Sequence, residues 1–95
     1  MIKESWEDIK KKYLTFYCKV CFETPSEPCH IKSRGSGGPE EHWNLIALCR
    51  KCHRTQHDLG WWRFCQRHSH LLCELKYRGW EFVDIGSVKK LRRKD

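Results

Sequence analysis

Apolar and polar positions change period several times along the chain, and each change marks an element. Trp6, Ile9 and Tyr13 recur at helical spacing behind Ser5-Trp6-Glu7-Asp8, a capping-box-like opening with Asp8 where glutamate is usual. That predicts a short helix over about residues 6–12. Leu14 to Tyr17 is aromatic and β-prone. Thr24-Pro25-Ser26-Glu27-Pro28 reads as a turn or loop, and 29–32 has room for a short strand. Three glycines and Pro39 make 34–39 a loop. Leu45-Ile46-Ala47-Leu48 is a continuous apolar run, the mark of a second, buried strand. Arg50 to about Leu59 reads as a helix, which Gly60 breaks. Trp61, Phe64, Cys65, His68, Leu72 and Leu75 then form one stripe of a longer helix over about 61–78, with Gly79 as its C′ residue. Trp80, Phe82 and Val83 are expected to fold back onto that helix. The tail after Gly86 is expected to be loose.

Strand, loop, strand and helix between flanking helices make a small α+β fold, read as a single domain over 1–95 with a loose basic tail at 87–95. A chain of 95 residues buries only roughly 60–65% of its unfolded surface, so its core is small and staples are expected. Seven cysteines cannot all pair within one chain. No apolar run approaches the ~20 residues of a membrane helix, and Met1-Ile2-Lys3-Glu4 does not open a signal peptide. Cysteine usage therefore fits metal binding in a reducing cytoplasm better than secreted disulfides.

Those cysteines have an order. Cys18-x-x-Cys21 and Cys49-x-x-Cys52 are the two halves of a four-thiolate zinc site, each turn presenting two sulfurs on one knuckle. His53 and His57 follow the second knuckle at a spacing of four on the expected helix, so both rings can project from one face toward one ion. His30 ends the first strand-like segment just before the glycine loop. Asn44 closes that loop just before the second strand. The net charge of +7 and a pI near 9.2 point to a polyanion partner, because lysine and arginine that neutralise phosphates release condensed counterions. Lys89, Lys90, Arg92, Arg93 and Lys94 concentrate that charge at the end of the chain, a pattern that is more often a solvated terminus than a binding element.

The segments Cys29-His30-Ile31-Lys32-Ser33-Arg34-Gly35-Ser36-Gly37-Gly38 and Trp43-Asn44-Leu45-Ile46-Ala47-Leu48-Cys49-Arg50-Lys51-Cys52-His53, with His57 beyond, resemble the HNH nucleases of the ββα-metal type. The paired knuckles are similar to the zinc-stapled branch of small phage-type members, and the core of the resemblance covers about residues 18–57. It implies a catalytic set of His30, Asn44, His53 and His57. His30 would be the general base that activates water against a phosphodiester, and Asn44 would hold the loop that orients it. His53 and His57 would hold one divalent cation (Mn, Mg, Ni or Zn), distinct from a structural zinc on Cys18, Cys21, Cys49 and Cys52. The substrate implied is double-stranded DNA, in the cytoplasm of a bacterium or a phage-infected host. Cys29 is a departure, since many relatives carry His or Asp there as a further metal ligand. A thiolate favours a softer metal than magnesium.

Arg34, Arg50, Lys51 and Arg54 flank this set and are the nucleic-acid candidates. Cys65, His68, His70 and Cys73 lie along one expected helix that separates the two cysteines by roughly 12 Å, too far to chelate one ion. Trp61, Trp62 and Trp80 read as core before they read as base-stacking platforms. A zinc-knuckle DNA-binding module without hydrolytic activity is the alternative reading. An accessory role in phage assembly or recombination is a third. His30, Asn44, His53 and His57 discriminate among them, because a pure binder has no need of that set.

Overall fold

A computed structural model describes residues 4–94; Met1, Ile2, Lys3 and Asp95 lie outside the described residues, and with them most of the N-terminal segment read against a signal peptide. The fold is α+β and divides into two compact units, one ending at His53 and the other beginning at Arg54. In the first unit, helix α1 spans Trp6–Tyr13, and the Ser5 side chain accepts the Asp8 amide at 3.1 Å, as the capping pattern requires. Leu14 to Tyr17 does not extend into a strand. The amides of Leu14, Thr15 and Phe16 bond back to Lys10–Tyr13 carbonyls, so the chain leaves α1 through turns.

Strands β1 (Glu27–His30) and β2 (Leu45–Leu48) form an antiparallel hairpin in which His30 faces Leu45, Cys29 faces Ile46, Pro28 faces Ala47 and Glu27 faces Leu48. The first strand starts two residues earlier than its expected start at 29. A two-stranded sheet leaves each strand an open edge, so Pro28, which lacks an N–H, is tolerated there. Ile31 and Lys32 leave the strand because both are bound by Asn44: the Ile31 amide donates to its carbonyl and the Lys32 amide to its side-chain oxygen, each at 2.8 Å. All four β2 residues are buried, which accounts for the unbroken apolar run. Leu45 and Ala47 pack against Ile9 and Tyr13 of α1, with Trp6 and Phe16 at the margin.

Helix α2 (Arg50–Arg67) is interrupted at Gly60, whose φ of 79° and ψ of 163° lie outside the helical region and in space that suits glycine. The longer helix expected over 61–78 is two pieces. After Arg67 the chain makes a short turn in which Leu71 bonds to His68 and Leu72 to Ser69, three residues back rather than four, and α3 (His70–Tyr77) begins. This turn shifts the phase of the stripe by one residue. Leu71 is fully buried with Phe64, Cys65 and Leu75, whereas Leu72 is 38% exposed.

Residues beyond Gly79 form a second antiparallel hairpin of β3 (Trp80–Ile85) and β4 (Val88–Arg93), so the tail expected to be loose is a strand. Two of its basic residues are held by acidic cross-strand partners. Glu81 faces Arg92 at 3.0 Å and Asp84 forms an ion pair with Lys89, while Phe82 faces Leu91. Trp80 is buried, and Trp62 lies edge-on to Phe82 with 5.0 Å between ring centroids. No described helix is long and apolar enough to cross a membrane.

Candidate metal centre and catalytic residues

The four sulfurs of Cys18, Cys21, Cys49 and Cys52 lie within 4.8 Å of one another, and those of Cys21 and Cys49 are 3.6 Å apart. A tetrahedron with Zn–S bonds of about 2.3 Å has edges of roughly 3.8 Å, so this donor set fits zinc. The first knuckle is built by its own backbone. Phe22 adopts a left-handed φ of 63°, its amide donates to the Cys18 carbonyl at 3.0 Å, and the Val20 amide points at the Cys18 sulfur at 3.4 Å. The Lys19 amide donates to the Ala47 carbonyl at 2.9 Å, which ties that knuckle to β2. Burial alone would raise the Cys18 thiol, but amides of Cys21, Cys49 and Val20 outweigh it and bring its pKa down to about 7. Burial and the neighbouring sulfurs push Cys52 upward. Four crowded thiols cannot all ionise unaided, and a divalent cation removes the conflict.

Asn44 is fully buried at the end of a 3-10 turn, His42–Asn44. Its side-chain oxygen accepts the Lys32 amide, and its side-chain nitrogen donates to the carbonyls of Lys32 at 3.0 Å and Pro39 at 2.9 Å. Both ends of the glycine loop are thereby fastened to one side chain. The closure needs Gly38, because a Cβ there would sit 1.8 Å from the Lys32 carbonyl oxygen and 2.8 Å from the Asn44 amide nitrogen. The sequence marks this glycine only as one of several in a loop. Gly38→Ala is expected to cost about 1–3 kcal/mol through overpacking against backbone that cannot swing aside, read as a lower thermal midpoint. An unchanged midpoint would show that the loop has another way to close.

His30 ends β1 on the face that packs toward α1, with its ring centroid 5.2 Å from that of Trp6. Its Nε2 is buried without a hydrogen-bond partner among the described residues and stands 4.0 Å from the Glu40 carboxylate. Glu40 is held by Arg34, whose guanidinium also lies over the Trp6 ring at 5.0 Å. Burial is the main cause that keeps the His30 pKa below its ordinary value. Glu40 pulls it the other way, and Arg34 and His53 push it lower. This imidazole is neutral at pH 7.

His53 lies in the first turn of α2, and its Nδ1 is 2.7 Å from the Glu27 carboxylate. Glu27 also faces Arg50, at 3.8 Å. A carboxylate on one ring nitrogen fixes the tautomer and the orientation of the ring, as in carboxylate–histidine–metal arrangements. Glu27, expected in a turn, is the first residue of β1. With the strand beginning at 27, it shares a strand face with Cys29 and is aimed at the helix. His57 is exposed, one turn further along α2. Cys29 is fully buried opposite Ile46, and burial, reinforced by Glu27, pushes its thiol up to about 12. It is a protonated, apolar neighbour in this state. Cys65 and Cys73 stand outside the four-sulfur cluster, one buried and one exposed.

Of the nucleic-acid candidates, Arg34 is engaged with Glu40 and Trp6, and Arg50 with Glu27. Arg50, Lys51 and Arg54 are all exposed on α2.

A buried asparagine clamp, a histidine at a strand end and a knuckle-capped helix fall within one matched segment. The family model described as HNH endonuclease matches residues 17–59. Over residues 17–59 the chain is similar to the HNH endonucleases. Zorya protein ZorE of Escherichia coli (Crooks strain) is 33% identical to the chain over 60 residues, covering 56% of this chain and 16% of that protein. The chain therefore spans only a small part of that relative's length. No solved structure matches it.

Proposed function

We propose that this chain is a metal-dependent HNH endonuclease that hydrolyses phosphodiester bonds of double-stranded DNA, by nicking or weakly specific cleavage, in the cytoplasm. The observation that carries this reading is His30: a neutral imidazole whose Nε2 has no hydrogen-bond partner among the described residues, at the head of a loop clamped by buried Asn44. In this reading Nε2 accepts a proton from the attacking water, and Asn44 acts at a distance by fixing the chain that follows His30. Glu40 stands beside the same nitrogen and favours the imidazolium once it has formed. Arg34, Arg50, Lys51 and Arg54 supply positive charge for the DNA backbone.

His53 and His57 are the residues proposed to hold the catalytic divalent ion, which supplies neutralisation of the charge that develops on the phosphate and on the leaving 3′ oxygen. The donor set suits this role, since Glu27 already occupies Nδ1 of His53 and directs Nε2 to serve as ligand. Two imidazoles suit Mn, Ni or Zn more than Mg. The buried Cys29 thiol is left out of the ligand set.

Nicking of supercoiled plasmid with and without EDTA, across Mg, Mn, Ni and Zn, tests the reading directly. Metal-dependent conversion to open circle is expected, and its absence with every metal would leave only a binding module. Glu27→Gln should weaken the catalytic ion about 10–100-fold while zinc content stays unchanged, as titration calorimetry with Mn would report. Unaltered affinity would mean that Glu27 serves the fold alone.

A further inference from the structure

The β3–β4 hairpin has two unlike faces. Alternation places Trp80, Phe82, Asp84, Lys89 and Leu91 on one face, and this face is occupied: Trp80 is buried, and Trp62 packs against Phe82 and lies 5.3 Å from the Lys89 ammonium. The other face carries Glu81, Val83, Ile85, Val88, Lys90 and Arg92. Ile85 and Val88 are direct cross-strand partners on either side of Gly86-Ser87, and they remain 57% and 52% exposed. An apolar pair at the tip of a ribbon, left uncovered by the described residues, gains little stability from its position. Behind it, Lys90 is exposed and has no ion-pair partner among the described residues, and Arg92 keeps two-thirds of its side chain accessible despite its bond to Glu81.

The geometry points to the hairpin as a DNA-bending arm: a two-stranded basic ribbon that lies in the minor groove of duplex DNA and presses Ile85 and Val88 against a base step. The inference rests on DNA as the substrate proposed for this chain. Charge complementarity selects the partner, since the hairpin and Lys94 carry five lysines and arginines against Glu81 and Asp84. The tip selects the groove. Ile85-Gly86-Ser87-Val88 offers no bidentate side chain to read major-groove edges, whereas apolar wedges flanked by basic residues are the means by which minor-groove proteins unstack and kink a step. Strand β4 has an unpaired outer edge whose amides can also face phosphates.

The test uses the full chain and a short duplex labelled at both ends, read by anisotropy for affinity and by energy transfer for bending. Wild type is expected to shorten the end-to-end distance, and netropsin, which fills the minor groove, should displace it. Ile85→Thr with Val88→Thr keeps the strand preference and removes the apolar contact; it should weaken binding roughly tenfold and abolish the bend. Lys90→Gln should make the log–log salt slope shallower by about 0.9. An unbent duplex, or an affinity that neither set of variants changes, overturns the arm. So does equal binding to an RNA duplex. The nuclease reading fails separately: a wild-type protein that binds and bends DNA but nicks none with any metal would keep the arm and lose the enzyme. One that nicks DNA while the hairpin variants bind as wild type would do the reverse.

Discussion

Cys49→Ser is expected to abolish the cooperative unfolding transition of the first unit. Cys49 joins the start of α2 to both knuckles, with its sulfur 3.6 Å from that of Cys21. The apolar core beneath is thin, resting on Ile9, Tyr13, Leu45 and Ala47 with Trp6 and Phe16 at its edge. Zinc held by such a set supplies an apparent 10–16 kcal/mol, about as much as the whole stability of a small domain. Removing one ligand or stripping the ion with a strong chelator should therefore give the same result: lost near-ultraviolet dichroism and no thermal midpoint. Cys73→Ser is the control, because that thiol is exposed and outside the cluster; its midpoint should move by no more than about 0.5 kcal/mol equivalent. A metal-free protein that still melts cooperatively would show that the four sulfurs are ornament to a core that suffices.

Most of this staple was legible in the sequence, because a metal ligand set is written in residue type and spacing. The apolar run 45–48 and the cap at Ser5 were equally local signals, and both elements stand where they were expected. What escaped was tertiary. Glu27 looked like turn material because two prolines flank it, and only the strand register shows that it shares a face with Cys29 and reaches His53. Glu40 was hidden for a similar reason: its place beside His30 depends on how the loop folds back under the Asn44 clamp. The break at His68-Ser69 interrupts a stripe that reads well as one helix, and no proline or glycine announces it. The second hairpin was different. Gly86-Ser87 between Ile85 and Val88 is a two-residue turn signal with charges placed to pair across it, but the density of lysine and arginine resembles that of a solvated tail. Deleting residues 89–95 would thus remove a strand, so substitutions are the cleaner probe of that charge.

His30→Ala is expected to lower plasmid nicking by about 100-fold or more, the scale on which a positioned base is lost, with zinc content and thermal midpoint retained. The site accounts for that separation. His30 lies at the end of β1 and makes no hydrogen bond through Nε2 among the described residues, so its removal leaves the Asn44 clamp and the knuckles untouched. Exogenous imidazole should restore part of the rate, which no loss of packing would allow. The pH profile supplies the sharper test. A base works only in its neutral form, so the rate should rise with pH through the His30 pKa, which burial, Arg34 and His53 together hold below the ordinary histidine value. Glu40 is the nearby group that opposes them. Glu40→Gln removes the opposition and leaves burial, Arg34 and His53 unopposed, so the acidic limb should move to still lower pH while the plateau keeps its dependence on metal. A limb that stays in place, or a His30→Ala protein that nicks at the wild-type rate, would assign the proton transfer to another group.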